Sequence, residues 1–295
     1  MIDRAIDEFN VLFIVADCCR YDTAAEANIP NIRGLGELRR ALTFGTYTLP
    51  AHASFYAGYI PNVVEPPLED YYSRQRRQLW RLTGARHREH ATVGLMLEGR
   101  DIFEGYRRLG FYTLGAGGVR WFRNPALTSV FDHFFFWGND DRTDVFADRE
   151  PANFPLEHME EILQQLSGRE KWFLFVNTPE THAPYDGAGP LPAAARSLLD
   201  KAKPRWGGKY SLLPECEIAA TELASLRQYQ VRSLEEIDRR LGRMIRALLS
   251  LPPARPLLVV FCADHGESFG ENMMFGHGFP AEEVMNVPLV IGTVA

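Results

Sequence analysis

An α/β fold with one central sheet and helices on both faces follows from three features of this 295-residue chain. First, three continuous β-branched and aromatic runs, VLFIVAD (Val11 to Asp17), KWFLFVN (Lys171 to Asn177) and PLLVVFCAD (Pro256 to Asp264), read as buried, parallel strands. Second, helical patterns separate them, so strands and helices alternate along the chain. Third, each run passes at once into polar residues and turn formers. In parallel α/β sheets the ligand crevice lies outside the carboxyl ends of the strands. Asp17, the Thr178–His182 loop and Asp264–His265 are therefore expected at one site.

The elements between them are legible in order. IFEGYRRLG (Ile102 to Gly110) ends in a glycine cap and leads into a short strand, FYTLGA. HMEEILQQL (His158 to Leu166) has helical apolar spacing. The segment from Glu222 to Leu251 is the longest helix, with apolar residues at three- and four-residue steps that predict one face packed on the sheet. PPARP breaks it before the next strand. Residues 183–215, rich in Pro, Gly and Ala, are expected to form an insertion or lid loop. The chain is expected to be a single catalytic domain over residues 1–295, without internal repeats.

Composition bounds the partners. The net charge is −6 with 24% charged residues and no basic block, which argues against a nucleic-acid partner. No apolar run is long enough to span a bilayer, so no membrane partner is expected. The N-terminus MIDRAIDEFN lacks a signal-peptide pattern, and the four cysteines form no C-x-x-C pair. These features lead us to expect a reduced, cytoplasmic protein. A mildly acidic chain can still take an anionic substrate if a metal ion supplies local positive charge.

Four motifs carry chemistry. In Asp17-Cys18-Cys19-Arg20-Tyr21-Asp22, the strand-end carboxylate either grips a metal or caps a helix. Arg20 either holds a substrate oxygen or braces the loop by an ion pair, and Cys18 and Cys19 read as buried packing residues. In Thr46-Tyr47-Thr48-Leu49-Pro50-Ala51-His52, the proline predicts a helix start beside Thr48, where backbone N–H groups favour an anion. A hydroxyl there serves as a cap or as a metal-activated nucleophile. In Thr178-Pro179-Glu180-Thr181-His182-Ala183-Pro184, a histidine between prolines is either a turn residue or a ligand or proton donor. Asp264-His265-Gly266-Glu267, followed by Gly276-His277-Gly278, is the sharpest: adjacent Asp and His beyond a buried strand suit Zn²⁺ or Mn²⁺.

Taken together and in this order, the motifs resemble the alkaline phosphatase superfamily, most closely its sulfatase-like branch. VLFIVADCCRYD resembles that branch's opening strand and metal motif, TLPAHASFYAGYIP its nucleophile helix, and ADHGESFGE with the later GHG and NVPLVIG its closing strands. The resemblance implies a three-layer α/β/α sandwich with a mixed, mostly parallel sheet. It implies metal ligation by Asp17, Asp264, His265 and Thr48, with Thr48 as nucleophile. It further implies catalytic or second-metal roles for His182 and His277, with Glu180 as a further candidate for a second metal.

Departures from the branch refine this reading. Sulfatases carry Cys or Ser at the nucleophile, oxidised to formylglycine, with Arg four residues on. Thr48 cannot be so oxidised, and His52 stands in the place of that Arg. His52 and Arg20 are the candidate substrate-binding residues. The expected activity is hydrolysis of phosphate esters (mono- or diester) or phosphonates. Phosphotransfer or mutase activity, sulfate-ester hydrolysis and a non-catalytic metal-binding scaffold are the alternatives. Cys18 and His265 replace oxygen ligands of calcium sulfatases, favouring Mn²⁺ or Zn²⁺ over Ca²⁺. The chain stops soon after NVPLVIG, so the C-terminal subdomain of many sulfatases is expected to be absent. Its substrate-shaping residues would then come from loops or from a partner subunit of a homo-oligomer.

Overall fold

The computed structural model describes residues 7–57, 101–138, 149–202 and 218–295. A seven-stranded sheet runs in the order β2-β9-β6-β1-β5-β3-β4. The strands are β1 (Asn10–Ala16), β2 (Arg39–Leu42), β3 (Tyr112–Gly117), β4 (His133–Phe136), β5 (Trp172–Thr178), β6 (Leu257–Cys262) and β9 (Asn286–Val294), while β7 (Ser268–Phe269) and β8 (Phe275–Gly276) form a separate small hairpin. β1 pairs in parallel with β5 on one side and β6 on the other. Within this sheet only the pairings of β9, with β6 and with β2, are antiparallel. The sheet is thus mixed and mostly parallel, as expected.

Strand alternation divides the core in two. Leu12, Ile14 and Ala16 of β1 join Leu174 and Val176 of β5 and Val259 and Phe261 of β6 on one face. The long helix Ala220–Leu249 covers that face with Leu234, Ile237, Leu241, Met244 and Leu248, which recur at three- and four-residue steps. The helices Tyr21–Glu26, Pro30–Leu35 and Met159–Leu166 contribute to the same layer. Val11, Val15, Phe173 and Phe175 face the other way, against helices Thr48–Ala57 and Ile102–Arg108. Edge-to-face rings fill this second layer, with Tyr56 and Phe103 centroids 4.9 Å apart. The Phe134-Phe135-Phe136 cluster forms the half-buried edge strand β4.

The expected lid is not wholly loop. Within 183–215, residues Ala193–Ala202 form a helix whose Ala195, Leu199 and Ala202 pack beside Leu223 and Leu226 of the long helix. Alanine-rich composition favours helix once an apolar stripe has a partner. Residues 203–215 of that segment lie outside the described residues. Among the described residues, no helix is long and apolar enough to cross a membrane.

Candidate active site

The carboxyl ends of β5, β1 and β6 lie side by side because β1 pairs with both neighbours. Asp17 follows β1, Asp264 and His265 follow β6, and the Thr178–His182 segment closes β5. Asp264 is oriented by two backbone amides: its Oδ1 accepts from Cys18 N at 3.2 Å and from His265 N at 2.9 Å. Its Oδ2 is buried and accepts no hydrogen bond among the described residues. Gly266 permits the turn that follows. A Cβ there would lie 2.0 Å from the Glu283 carbonyl oxygen, while Gly266 N donates to Val284 O.

Proton positions follow from the partners. His265 Nδ1 lies 2.9 Å from the Gly266 carbonyl, which can only accept, so Nδ1 carries the proton and Nε2 presents a bare lone pair. Burial, reinforced by His277, lowers the His265 pKa to about 4, keeping the ring neutral near neutrality. Its Nε2 faces Asp264 Oδ2 at 3.4 Å and Asp17 Oδ1 at 3.9 Å. Burial pushes the Asp264 carboxyl up to about 7, and burial with the Asp264 charge also raises Asp17. Asp264 Oδ2 and His265 Nε2, two acceptor atoms facing one another in a buried space, repel unless a cation or proton lies between them. Ligand atoms of Asp17, Asp264 and His265 all lie within 4.8 Å of one another. This donor set fits a borderline divalent cation.

Thr48 begins its helix and directs Oγ1 to Asp17 Oδ2 at 3.4 Å. Asn177 Nδ2 approaches the same oxygen at 3.2 Å, and the Thr181 hydroxyl donates to the Asp17 carbonyl at 2.6 Å. Asp17 is therefore fixed from both sides, while Thr48 retains one long contact.

A second group lines the site. The small hairpin pairing Ser268–Phe269 with Phe275–Gly276 sets Glu267 beside His277. His277 Nδ1 lies 3.3 Å from Glu267 Oε1, and the Tyr185 hydroxyl donates to Glu267 Oε2 at 2.7 Å. Burial opposes the charged form of His277, yet the Glu267 hydrogen bond and charge outweigh it, so its pKa is raised. His182 is lowered chiefly by burial, and its Nδ1 donates to Ala183 O at 2.7 Å. The His182 and His277 rings are 5.5 Å apart.

Three of the candidate residues are engaged away from the centre. Arg20 has no free fork for substrate: Nε and Nη2 grip Asp22 at 2.7 and 2.6 Å, and Nη1 reaches Glu271 at 2.6 Å. It braces the loop. His52 is fully buried among Phe55, Tyr56, Phe122 and Phe175. Its Nδ1 donates to Thr48 O at 2.8 Å and lies 3.6 Å from Asp264 Oδ2, a position behind the reacting groups. Glu180 turns away to Arg240, whose Nη1 donates to it at 3.0 Å, and it joins none of the described clusters that could hold a metal.

The sequence reading also missed residues. Cys18, read as packing, projects into the polar centre and belongs to two of the three candidate metal groupings. Its φ of +63° turns the chain in a way no strand pattern announces. Glu267 was visible three residues beyond Asp264 in the DHGE motif, but its role depends on hairpin pairing.

Comparison with known proteins is consistent with this geometry. The sulfatase family's sequence profile matches residues 70–293, a span holding His182, Asp264, His265 and His277, with Asp17 and Thr48 before it. A search of curated protein sequences finds no match. The phosphonate monoester hydrolase of Agrobacterium radiobacter superposes with a TM-score of 0.60 at 22% identity, over 96% of this chain and 67% of that one. The C-terminal periplasmic domain of EptC from Escherichia coli, in a complex with zinc, gives 0.57 at 14% identity, over 97% and 73%. The soluble domain of lipooligosaccharide phosphoethanolamine transferase A from Neisseria meningitidis gives 0.57 at 14%, over 97% and 76%. At these identities the likeness to solved structures is one of fold. The sequence match over most of the chain and the shared architecture together establish that the chain belongs to the sulfatase family, in the sulfatase-like branch of the alkaline phosphatase superfamily.

Proposed function

We propose that this chain is a divalent-metal-dependent hydrolase of phosphate esters or phosphonates, working through a covalent phospho-threonine at Thr48. The observation that carries the reading is the Thr48 hydroxyl at a helix start, facing Asp17 beside the bare acceptors of Asp264 and His265. Asp17, Asp264 and His265 would hold the cation, with Thr48 adjoining it. When bound, such an ion supplies Lewis acidity that favours an ionised hydroxyl and offsets charge on the transferred group.

The protein's own groups do the rest. Asp17 Oδ2 orients Thr48 Oγ1. In the first half-reaction the Thr48 hydroxyl, its proton released to solvent on ionisation, forms the Oγ1–phosphorus bond as the bond to the leaving oxygen breaks. His277, held toward its cationic form by Glu267, delivers a proton from Nε2 to that oxygen, and the raised pKa suits it to this task. In the second half, water attacks phosphorus and the Thr48 Oγ1–phosphorus bond breaks. His182 stays neutral with Nδ1–H committed to Ala183 O, so its Nε2 can accept the proton that water gives up. Threonine at the nucleophile position, unable to become formylglycine, favours phosphorus over sulfate esters.

Turnover of paired aryl phosphates, phosphonates and sulfates by wild type and Thr48→Ala tests this. We expect the phosphorus substrates to be preferred and Thr48→Ala to lose at least about 10³-fold in kcat with an unchanged circular dichroism spectrum. Near-normal turnover by Thr48→Ala removes Thr48 as nucleophile. Because one structural neighbour is named a phosphoethanolamine transferase, delivery of the group to an acceptor alcohol is the second reading. Product analysis with a competing alcohol separates it from hydrolysis.

A further inference from the structure

We propose that Cys18 is a thiolate ligand of the active-site cation, making the centre a mixed Asp/His/Cys one that selects soft or borderline ions such as Zn²⁺ over Mn²⁺, Mg²⁺ and Ca²⁺. The inference rests on the metal-centre reading above and adds to it the class of metal.

The three described cysteines differ in their surroundings. Cys19 and Cys262 both sit in the apolar clusters that pack the two faces of the sheet. Cys18 is equally buried, yet it belongs to neither. Its surroundings are polar and metal-ligating. Cys18 Sγ lies 3.3 Å from Asp17 Oδ1, 4.0 Å from His265 Nε2 and 3.5 Å from His277 Nδ1. Asp17 Oδ1 and His265 Nε2 are themselves 3.9 Å apart. One sulfur, one oxygen and one nitrogen thus form a triangle with edges of 3.3, 3.9 and 4.0 Å. An ion about 2.0 to 2.3 Å from each such atom, as in zinc sites, spans edges of this size.

The backbone holds the sulfur there. Cys18 N donates to Asp264 Oδ1, and Cys18 O accepts from Gln230 Nε2 at 2.9 Å. The residue is tied at both ends, to a carboxylate of the site and to the long helix. A second observation points to the same ion: Asp264 Oδ2, fully buried and 3.4 Å from the bare His265 Nε2, has no hydrogen bond of its own among the described residues. Thiolate and imidazole donors favour zinc-like cations, whereas all-oxygen shells suit Ca²⁺, Mg²⁺ and Mn²⁺.

Cobalt substitution of the full chain provides the test. After chelator treatment, Co²⁺ is titrated into wild type, Cys18→Ser and Cys19→Ser. Visible d–d bands report binding, and a near-ultraviolet sulfur-to-cobalt charge-transfer band reports a thiolate in the shell. We expect the charge-transfer band in wild type and Cys19→Ser and its loss in Cys18→Ser, together with at least a tenfold loss of preference for Zn²⁺ over Mn²⁺. X-ray absorption of zinc-loaded wild type gives the same answer without a variant, through a sulfur scatterer at about 2.3 Å. Wild-type d–d bands without charge transfer, and a zinc shell without sulfur, overturn the Cys18 assignment and leave the metal centre standing. Failure of wild type to bind Co²⁺ or Zn²⁺ at all overturns both.

Discussion

Burial puts Asp264 and His265 in opposite protonation regimes. With its pKa near 7, the Asp264 carboxyl holds a proton in mildly acidic metal-free protein, whereas His265, near 4, is already neutral there. A cation entering below pH 7 must displace the Asp264 proton, and none comes from His265. If Cys18 binds as a thiolate, its thiol, which burial holds well above the ordinary range, gives up a proton as well, so metal affinity should rise by about a hundredfold per pH unit while Asp264 is protonated and by about tenfold per unit once it has ionised. Calorimetric titration in buffers of different ionisation enthalpy reads the released proton directly. We expect about two protons per ion a unit below that pKa, one from Asp264 and one from Cys18, falling toward about one a unit above it. Asp264→Asn should lose stoichiometric metal on elemental analysis. Undiminished metal content in that variant, or pH-independent affinity in wild type, removes Asp264 from the centre.

Polar side chains of the long helix Ala220–Leu249 hold neighbouring elements of its layer. Asp238, buried on that helix, accepts from Ile32 N at 2.7 Å, Asn31 N at 3.2 Å and Asn31 Nδ2 at 2.8 Å. It thereby caps the helix Pro30–Leu35, which has no side-chain cap of its own. Gly242 allows this approach, since a Cβ there would fall 2.3 Å from Asn31 Oδ1. Asp238→Ala leaves those amides buried and unpaired and should cost about 1–3 kcal/mol in chemical denaturation. Asp238→Asn should recover part of the loss, and kcat well below the unfolding temperature should hold in both. A cost within about 0.5 kcal/mol, the range of ordinary surface changes, rejects this role for the cap.

At the scale of the molecule, the site joins segments that the chain keeps far apart. Asp17 and Asp264 are 247 positions apart in sequence yet end the adjacent strands β1 and β6. An ion shared between them would tie the folded state and would have no equivalent in the unfolded chain. Free metal at a hundredfold excess over Kd adds about 2.7 kcal/mol, which for a domain of this size corresponds to roughly 5–10 °C in Tm. Chelation should lower Tm by that amount and Zn²⁺ should restore it. Identical Tm values with chelator and with saturating zinc would show that no ion bridges these strands.

Residue types and their order determined much of this by themselves. Buried strands announce themselves by continuous apolar runs, so β1, β5 and β6 and the polar residues at their ends were legible, as was the helix beginning at Thr48 beside Pro50. Local signals also placed the long helix within two residues of its observed ends. What only tertiary structure decided is where each side chain points and what it meets. Cys18 and Cys19 are chemically identical neighbours, yet a left-handed backbone turn at Cys18 sends one sulfur toward Asp17 and His265 while the other packs in the apolar core. Arg20, Glu180 and His52 carry the right chemistry for a site, but Asp22, Arg240 and an aromatic box claim them first. Periodicity records burial along one element. It carries no information about contacts made across 200 positions of chain, and those contacts divide the polar residues between the reacting centre and its supports.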